Sequence, residues 1–382
     1  MLALALKQQA GQSALRNVSR SAAAALVQTR NAHDLMIRKK TGQPIIKYGA
    51  GGRSSVSGHT ATVFGCTGFL GRYIVSKLAK QGTQVVVPWR DEDSKRHLRV
   101  TGDLGQVVPL EFDLKNRQTL VECVRHSDVV YNLIGRDYET KNFTFDQVNH
   151  EAARAIAEVS AEAGVARLIH VSALNADENS PSKFLKTKAL GEKAVRQVMP
   201  DATIVRPAIM YGQEDRFLNR IGLGVGWEYS LNDGNTRVHP VHVLDVAQAL
   251  EIMLKAESTA GKTYELYGPK EYTFNEIWEL ARDVVKKPLT TYLVPKFAAK
   301  WTATVLNMTP FDLISPDQVE RMYISDTLQP NALTFADLYI EPSSLESQAI
   351  AFLRRFRSTA YFDLPVEKDD GKVVKGVYHV ID

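Results

Sequence analysis

The feature that most constrains this chain is a short β-type run joined directly to a glycine-rich turn and an apolar-periodic helix. Thr60-Ala61-Thr62-Val63-Phe64 is followed at once by Gly65-Cys66-Thr67-Gly68-Phe69-Leu70-Gly71. Leu70, Ile74, Val75 and Leu78 then recur at helical spacing, and Gly82 supplies a helix stop. A strand, a glycine turn and a helix in this order form the context that a phosphate-cradling motif requires. Gly65 permits the tight turn, Gly68 lets backbone approach a pyrophosphate, and Gly71 lets the helix pack closely on the strand. The helix N-terminus adds unpaired amides and a positive dipole end. Gly65, Thr67, Gly68, Phe69, Leu70 and Gly71 are therefore the candidate cradle.

Further β-then-α units follow. Gln84-Val85-Val86-Val87 reads as the next strand, ahead of Pro88-Trp89-Arg90. An NAD site places an acid about 20 residues after the glycines to bind the ribose 2′-hydroxyl. Here the first charged residue is Arg90, whose guanidinium suits a 2′-phosphate and favours NADP(H), although Asp91 adjoins it. Val107 to Phe112 leads to Asp113-Leu114, where an adenine would lie. Asp128 to Gly135 is a buried-type strand that brings Leu133 and Ile134 to its end. Val148-Asn149 opens a helix through Ala163, and Arg167 to Ala173 is a further strand that contains His170, read as a packing residue, and Ser172. This alternation implies a doubly wound parallel (Rossmann) sheet with its ligand at the carboxyl ends of the strands.

Charge divides unevenly along the chain. Residues 1–32 hold Lys7, Arg16, Arg20 and Arg30 and no acid, which leaves 43 basic against 43 acidic residues in the remainder. The folded body is thus neutral overall, and nucleic-acid binding by a broad basic face is not expected. Ser13, Ser19, Ser21 and Ala22 to Ala25 lie among the leading basic residues, the composition of a mitochondrial transit peptide with a cleavage region just after Arg30, the alternative being a disordered tail. Basic residues interrupt every apolar core that a secretory signal would need. No stretch approaches the roughly 18 apolar residues of a membrane span. Cys66 and Cys123 are the only cysteines, too few for a disulfide framework or a cysteine-built zinc site, and no metal constellation appears.

Residues 33–58, rich in glycine and serine, read as a linker, and the ordered domain is expected to begin near His59. Residues 59–270 read as the nucleotide-binding domain, interleaved with a loop-rich stretch at 213–245, and residues 271–382 as a C-terminal partner-contact region. The helix Asp245 to Ala256 and the strand Lys262 to Leu266 should return to the sheet. Thr273 is placed to cap a helix from Asn275 to Lys286 that Pro288 would end. Phe297, Trp301, Val305 and Leu306 fall at helical spacing beside Lys296 and Lys300. That pattern fits an ordinary amphipathic core helix, or a helix that meets a partner or a membrane surface. Arg354-Arg355-Phe356-Arg357 reads as a solvated charged face, or one that meets lipid headgroups or an acidic neighbour. The tail from Glu367 to Asp382 shows no helical pattern and is read as wrapping a partner.

The glycine spacing, Asp113-Leu114, the Asn149 helix, the Ser172 strand, Asp245-Val246-Ala247 and Arg206-Pro207-Ala208-Ile209-Met210-Tyr211-Gly212 together resemble the extended short-chain dehydrogenase/reductase superfamily over residues 59–270. That resemblance adds Lys188, Pro207 and Ile209 to the cofactor-binding candidates. It implies a serine or threonine, a tyrosine that exchanges the substrate proton, and a lysine that lowers the tyrosine's pKa while holding the nicotinamide ribose. Here the tyrosine position of Phe184-Leu185-Lys186-Thr187-Lys188 is Phe184, and the serine position falls on Ala173, one residue after Ser172. A phenyl ring transfers no proton. Tyr73 to Lys77 and Tyr292 to Lys296 repeat the tyrosine–lysine spacing at misplaced positions.

Longer matches narrow the resemblance. Val63 to Tyr73, Pro88-Trp89-Arg90, Tyr131 to Arg136 and Gly212 to Asn219, behind a transit-type leader, are similar to the NADPH-binding accessory subunits of mitochondrial respiratory complex I. The resemblance implies a non-catalytic subunit whose partners are the other complex I subunits. It would lie on the matrix side of the inner membrane, near the junction of the matrix and membrane arms. There it would hold NADPH structurally and support assembly and stability. Two other readings stay open: an active NADP-dependent reductase or epimerase using Tyr211 or a water on Lys188, and an NADPH redox-sensing module.

Overall fold

In the structure, a computed structural model, residues 34–37, 44–47, 49, 52, 54–223, 228–286, 291–306, 315–357 and 359–363 are described. The expected leader, Pro288 and the tail from Glu367 lie outside the described residues.

Seven strands form one parallel sheet: β1 Thr60–Phe64, β2 Gln84–Trp89, β3 Val107–Glu111, β4 Val129–Asn132, β5 Arg167–Val171, β6 Thr203–Pro207 and β7 Thr263–Leu266. Their spatial order is β7-β6-β5-β4-β1-β2-β3. The strands run outward from β1 in both directions, so the strand order switches between β1 and β4, the place where such a sheet opens a crevice.

Helices cover both faces, which is why the strands read as nearly continuous apolar runs. On one face Ala61, Val63, Val85, Val129 and Tyr131 pack in one buried cluster with Ile74 and Leu78 of α1 (Phe69–Lys80) and Val246, Leu250 and Met253 of the helix Val243–Lys255. On the other, Phe64, Val130, Leu168 and Ile204 pack with Leu120 of α2 (Arg117–Val124), Ile156 of α3 (Ala152–Glu162) and Val195 of α4 (Lys183–Val198). The alternation of Val129 and Tyr131 against Val130 follows from the two-residue period of a strand. Taking the helix Val243–Lys255 as α5, α1 and α5 lie side by side beneath the switch point.

A second lobe is assembled from separated segments. Tyr211, Leu218, Ile221 and Val238 share a buried cluster with α6 (Phe274–Val285) and with Leu345, Ala349 and Leu353. Thr273 does cap α6, in a reciprocal capping box with Glu276. The chain then forms α7 (Lys296–Leu306), α8 (Pro316–Arg321) and α9 (Leu345–Leu353). Between α8 and α9, Phe335, Leu338 and Ile340 rejoin the first sheet cluster. The Glu265 amide donates to the Leu333 carbonyl at 2.8 Å, which covers the β7 edge.

Three expectations change. The segment read as linker contains an antiparallel pair, Asp34–Ile37 with Pro44–Lys47. Its end also belongs to the fold: Ser57 donates its amide to the Gly82 carbonyl at 3.1 Å, and Ser57 and Thr83 hydroxyls lie 2.9 Å apart. In α7 the inward residues are Ala299 and Ala303, whereas Phe297, Trp301 and Val305 are 83%, 64% and 46% exposed, so the helix is not a core helix in the ordinary sense. The arginine run folds back on the chain. Arg355 donates to the Gln213 carbonyl and the Asn219 side chain, and Arg357 is buried with its Nε on the Val284 carbonyl.

Candidate functional site

The glycine turn forms because Gly65 adopts φ +81°, a conformation side chains rarely tolerate, and because it abuts the backbone that leaves β4. A Cβ at Gly65 would lie 3.0 Å from the Leu133 carbonyl carbon and 3.2 Å from the Ile134 nitrogen. At Gly71 it would lie 2.3 Å from the Gly65 carbonyl oxygen, so α1 is in backbone contact with the turn. Gly68 is different. It is exposed, and a Cβ there would meet only the Gly65 oxygen, at 3.2 Å. Gly68 is also the N-cap of α1, no side chain caps the helix, and its first turn holds no acid. The amides of this helix start thus have no side-chain cap within the described residues.

Cys66 sits in the turn, but its thiol donates to the Pro88 carbonyl and burial pushes its pKa up to about 12, which makes it a packing residue. Phe69 and Tyr73 make an edge contact at 5.8 Å, and Tyr73 donates to Glu214 at 2.6 Å.

The other expected residues fall along the carboxyl ends of the strands. Arg90 is exposed just past β2, and the neighbouring Asp91 accepts from the Ser94 hydroxyl at 2.7 Å, a bond that holds its carboxyl below the usual range. Asp113 and Leu114 follow β3; the Asp113 amide donates to the Thr119 hydroxyl, its carboxylate accepts from the Lys115 amide, and Leu114 packs under the sheet. Leu133 and Ile134 leave β4 in a bend fixed by the Asn132 side chain, which accepts from the Ile134 amide at 3.1 Å. Pro207 ends β6, and its carbonyl accepts from the Leu174 amide. Ile209 packs into the second lobe, and its carbonyl accepts from the Val241 amide.

Lys188 is buried where these ends meet. Its amine donates to the Val171 carbonyl at 3.1 Å and the Ile134 carbonyl at 3.4 Å, and a Cβ at Gly135 would lie 2.8 Å from Nζ, so a side chain there would displace the amine. Burial pushes its pKa down to about 8, against the opposing pull of Glu192. Glu192 itself pairs with Arg206 at 2.8 Å, and Arg206 reaches Glu265 at 3.5 Å, so one buried ion trio fixes α4 against β6 and β7.

Three buried polar atoms close by have no partner: Ser172 Oγ, Asn149 Oδ1 and His170 Nε2. Such groups cost about 1–3 kcal/mol each when unsatisfied. A ligand that brings donors and acceptors to this end of the cleft would relieve that cost. His170 is held neutral by burial and by the Lys188 charge, its pKa pushed down to about 3, and it contacts the Asn132 amide at 3.1 Å.

Sequence reasoning passed over Asn149 as a site residue. The helix expected from Val148 begins instead as a wide turn of i→i+5 type at Gln147–Glu151, and α3 follows it. Such turns mark functional sites more often than chance. Gly191 allows the fit, since a Cβ there would lie 2.2 Å from the Asn149 carbonyl. Asn149 donates to the Thr187 hydroxyl, one residue from Lys188.

Phe184 lies one turn before Lys188 on α4, its ring centroid 5.9 Å from the lysine amine and 6.1 Å from that of Phe145. The site therefore has a glycine turn at an uncapped helix start, a buried lysine and orphan polar groups, with the Phe184 ring one helical turn before the lysine. Tyr211, the alternative acid/base, is fully buried and its hydroxyl donates to the Ser343 carbonyl at 3.3 Å in the second lobe. Among the described residues no group of acids, histidines and cysteines could hold a metal, and no helix is long and apolar enough to cross a membrane.

A family model described as the NmrA-like family matches residues 57–323. The 40 kDa subunit of mitochondrial NADH-ubiquinone oxidoreductase from Neurospora crassa is 52% identical over 339 residues, 88% of this chain and 90% of that one. The chain belongs to the NmrA-like family, among its complex I 40 kDa and alpha-9 subunits. A second such relative, the mitochondrial NADH dehydrogenase [ubiquinone] 1 alpha subcomplex subunit 9 of Rattus norvegicus, is 42% identical over 330 residues, 85% of this chain and 87% of that one.

Solved structures of more distant proteins share the NmrA-like fold at lower identity. The NADPH-dependent quinone oxidoreductase QOR2 of Escherichia coli, complexed with NADPH, superposes with a TM-score of 0.61 at 16% identity, over 77% of this chain and 99% of its own. The triphenylmethane reductase of a Citrobacter species, complexed with NADP(H), gives 0.60 at 18% identity, over 77% and 99%. These likenesses establish the fold.

Proposed function

We propose that this chain is a non-catalytic accessory subunit of mitochondrial NADH:ubiquinone oxidoreductase that holds NADPH as a structural ligand. The observation that carries the reading is the coexistence of an unobstructed cradle and a buried lysine with a phenyl ring at the acid/base position. The complex I role rests on the two relatives' names.

The residues present fit the nucleotide. Gly65, Thr67, Gly68, Phe69, Leu70 and Gly71 would take its pyrophosphate on the start of α1. Arg90 would take the 2′-phosphate, while Asp91 is engaged with Ser94. Asp113 and Leu114 would flank the adenine. Leu133, Ile134, Ser172, Lys188, Pro207 and Ile209 would line the nicotinamide side, with Lys188 donating to the ribose. The bound group offers a hydride, and no side chain here at the expected position supplies the accompanying proton. Binding to the folded state alone then adds stability by mass action.

As the wider placement, the subunit lies on the matrix side of the inner membrane, touching other complex I subunits. The stripe of Phe297, Trp301 and Val305 on α7 supports contact with lipid headgroups, with Lys296 and Lys300 beside it, each paired with Glu320.

Native size fractionation of mitochondrial membranes in mild detergent tests the reading. Co-migration of the chain with NADH:quinone oxidoreductase activity in a particle near the megadalton range is the expected result. Migration as a small soluble species, or substantial turnover of NADPH by the unmodified chain, would overturn it.

A further inference from the structure

The Phe184 end of α4 and the loops that follow β4 and β5 are crossed by a segment of this same chain. From Ser315 onward the segment is pinned by side-chain and backbone hydrogen bonds to the loops that follow β4, β5 and β6 and to β7 itself. At the β4 loop, Ser315 and Arg321 both donate to the Asp137 carbonyl, at 3.5 and 2.8 Å. At the start of α4, Asp317 accepts from the Ser182 hydroxyl at 2.9 Å and the Lys183 amide at 2.7 Å. At the β5 loop, Asn175, held at φ +62°, donates to Asp326 at 2.9 Å and accepts from the Thr327 amide at 2.8 Å. In the segment after β6, Thr236 donates to the Met322 carbonyl and the His239 amide donates to Asp326, both at 2.8 Å. On β7, Glu265 accepts from the Gln329 amide at 3.1 Å.

The centre of this crossing is Arg321. Its guanidinium carbon stands 4.4 Å from the centroid of the Phe184 ring, and Asp317 lies 3.5 Å from its Nε. The residue at the acid/base position thus already has an occupant.

We propose that residues 315–329 form a built-in strap that fills the substrate side of the cleft, with Arg321 seated on Phe184 as a permanent internal occupant. The proposal rests on the non-catalytic reading above and deepens it. In this view Phe184 is the ring on which the strap docks, since a cation seated on an aromatic face is an attractive contact. The strap excludes solutes from the nicotinamide side and leaves the adenine side, with Arg90 and Asp113, open to solvent.

The test uses the full chain and the variants Arg321→Ala, Asp317→Asn, Phe184→Leu and Phe184→Tyr. The first measurement is quenching of bound NADPH fluorescence by acrylamide, a neutral solute. Arg321→Ala and Asp317→Asn should raise the quenching constant at least threefold, with NADPH affinity changed less than threefold; quenching equal to wild type in both would overturn the strap. The second needs no nucleotide. Amide hydrogen exchange across residues 315–329 should quicken about tenfold in Arg321→Ala and in Phe184→Leu, which keeps apolar volume and loses the ring face. Unchanged exchange in both would overturn the proposal even if NADPH proved not to bind, so its failure is distinguishable from failure of the cofactor reading. Reductase turnover that appears with Phe184→Tyr alone would also overturn it, because substrate would then be entering past Arg321.

Discussion

Individual residues in the cradle separate fold from binding. A Cβ at Gly71 has nowhere to go, 2.3 Å from one backbone oxygen and 2.6 Å from the Cys66 Cα, so Gly71→Ala should destabilise the chain itself. Gly68 faces solvent, and a Cβ there would meet only the Gly65 oxygen, at 3.2 Å, a contact that a few tenths of an ångström of backbone shift relieves. We expect Gly68→Val to keep thermal stability within about 1 kcal/mol and to abolish NADPH binding by calorimetry, since the branched side chain takes the pyrophosphate's approach. Unchanged affinity would discard the cradle. Arg90→Ala should weaken NADPH by roughly ten- to hundredfold, the worth of a charge-assisted contact, and leave NADH within about twofold. Equal losses for both nucleotides would remove Arg90 from the 2′-phosphate. Lys188 gives a pH signature. Its folded pKa is about 8 and its ordinary value 10.5. Between these values the unfolded chain holds a proton that the folded chain has released, so stability rises with pH across that window, and the burial cost is fully present below pH 8. Denaturant titrations of the nucleotide-free chain from pH 7.5 to 10.5 should show a rise of about 3 kcal/mol in wild type over Lys188→Met. Parallel profiles would mean that the lysine is not desolvated.

At the scale of elements, local signals and long-range packing part company. The strand, turn and helix from Thr60 to Lys80 were legible because each piece carries its own period and its own glycines. The capped helix after Thr273 was legible for the same reason. Periodicity marks a stripe, however, and does not say which side of it faces inward. In α7 the bulky stripe faces out because two alanines give the closer approach to Val319 of α8, and Lys296 and Lys300 converge on Glu320 from the same helix. Nor could any local pattern show that Ser182 and Asp317, 135 positions apart, hydrogen-bond at 2.9 Å. The i→i+5 turn at Asn149 depends likewise on Gly191 from a different helix. The exposed stripe makes its own prediction. Phe297→Glu with Trp301→Glu should leave the melting temperature within about 2 °C, because neither side chain is in the core. The same pair should lower co-flotation with vesicles of phosphatidylcholine and cardiolipin severalfold. Flotation at the wild-type level would remove lipid as what α7 meets.

For the whole molecule, the placement of the cleft matters more than any one contact. The strands that border it, β1, β2, β4 and β5, belong to one sheet whose two faces each carry a buried apolar cluster. The chain's later segments also return to that sheet, through Leu333 at the β7 edge and through Asp326 at the β5 loop. A ligand held at the switch point therefore ties together parts that are distant in sequence, and it should stabilise the body as a unit. At nucleotide concentrations a hundredfold above its dissociation constant, linkage adds about 2.7 kcal/mol. For a chain of this size that is a rise in melting temperature of roughly 3–4 °C. NADPH should produce the rise in wild type and not in Gly68→Val, measured by calorimetry on the purified chain. In cells that express only Gly68→Val, a subunit that needs its nucleotide to stay folded should fall in abundance, and the megadalton particle should fall with it. A full complement of particle with Gly68→Val, in a chain shown to have lost NADPH, would mean that the cleft serves something other than assembly.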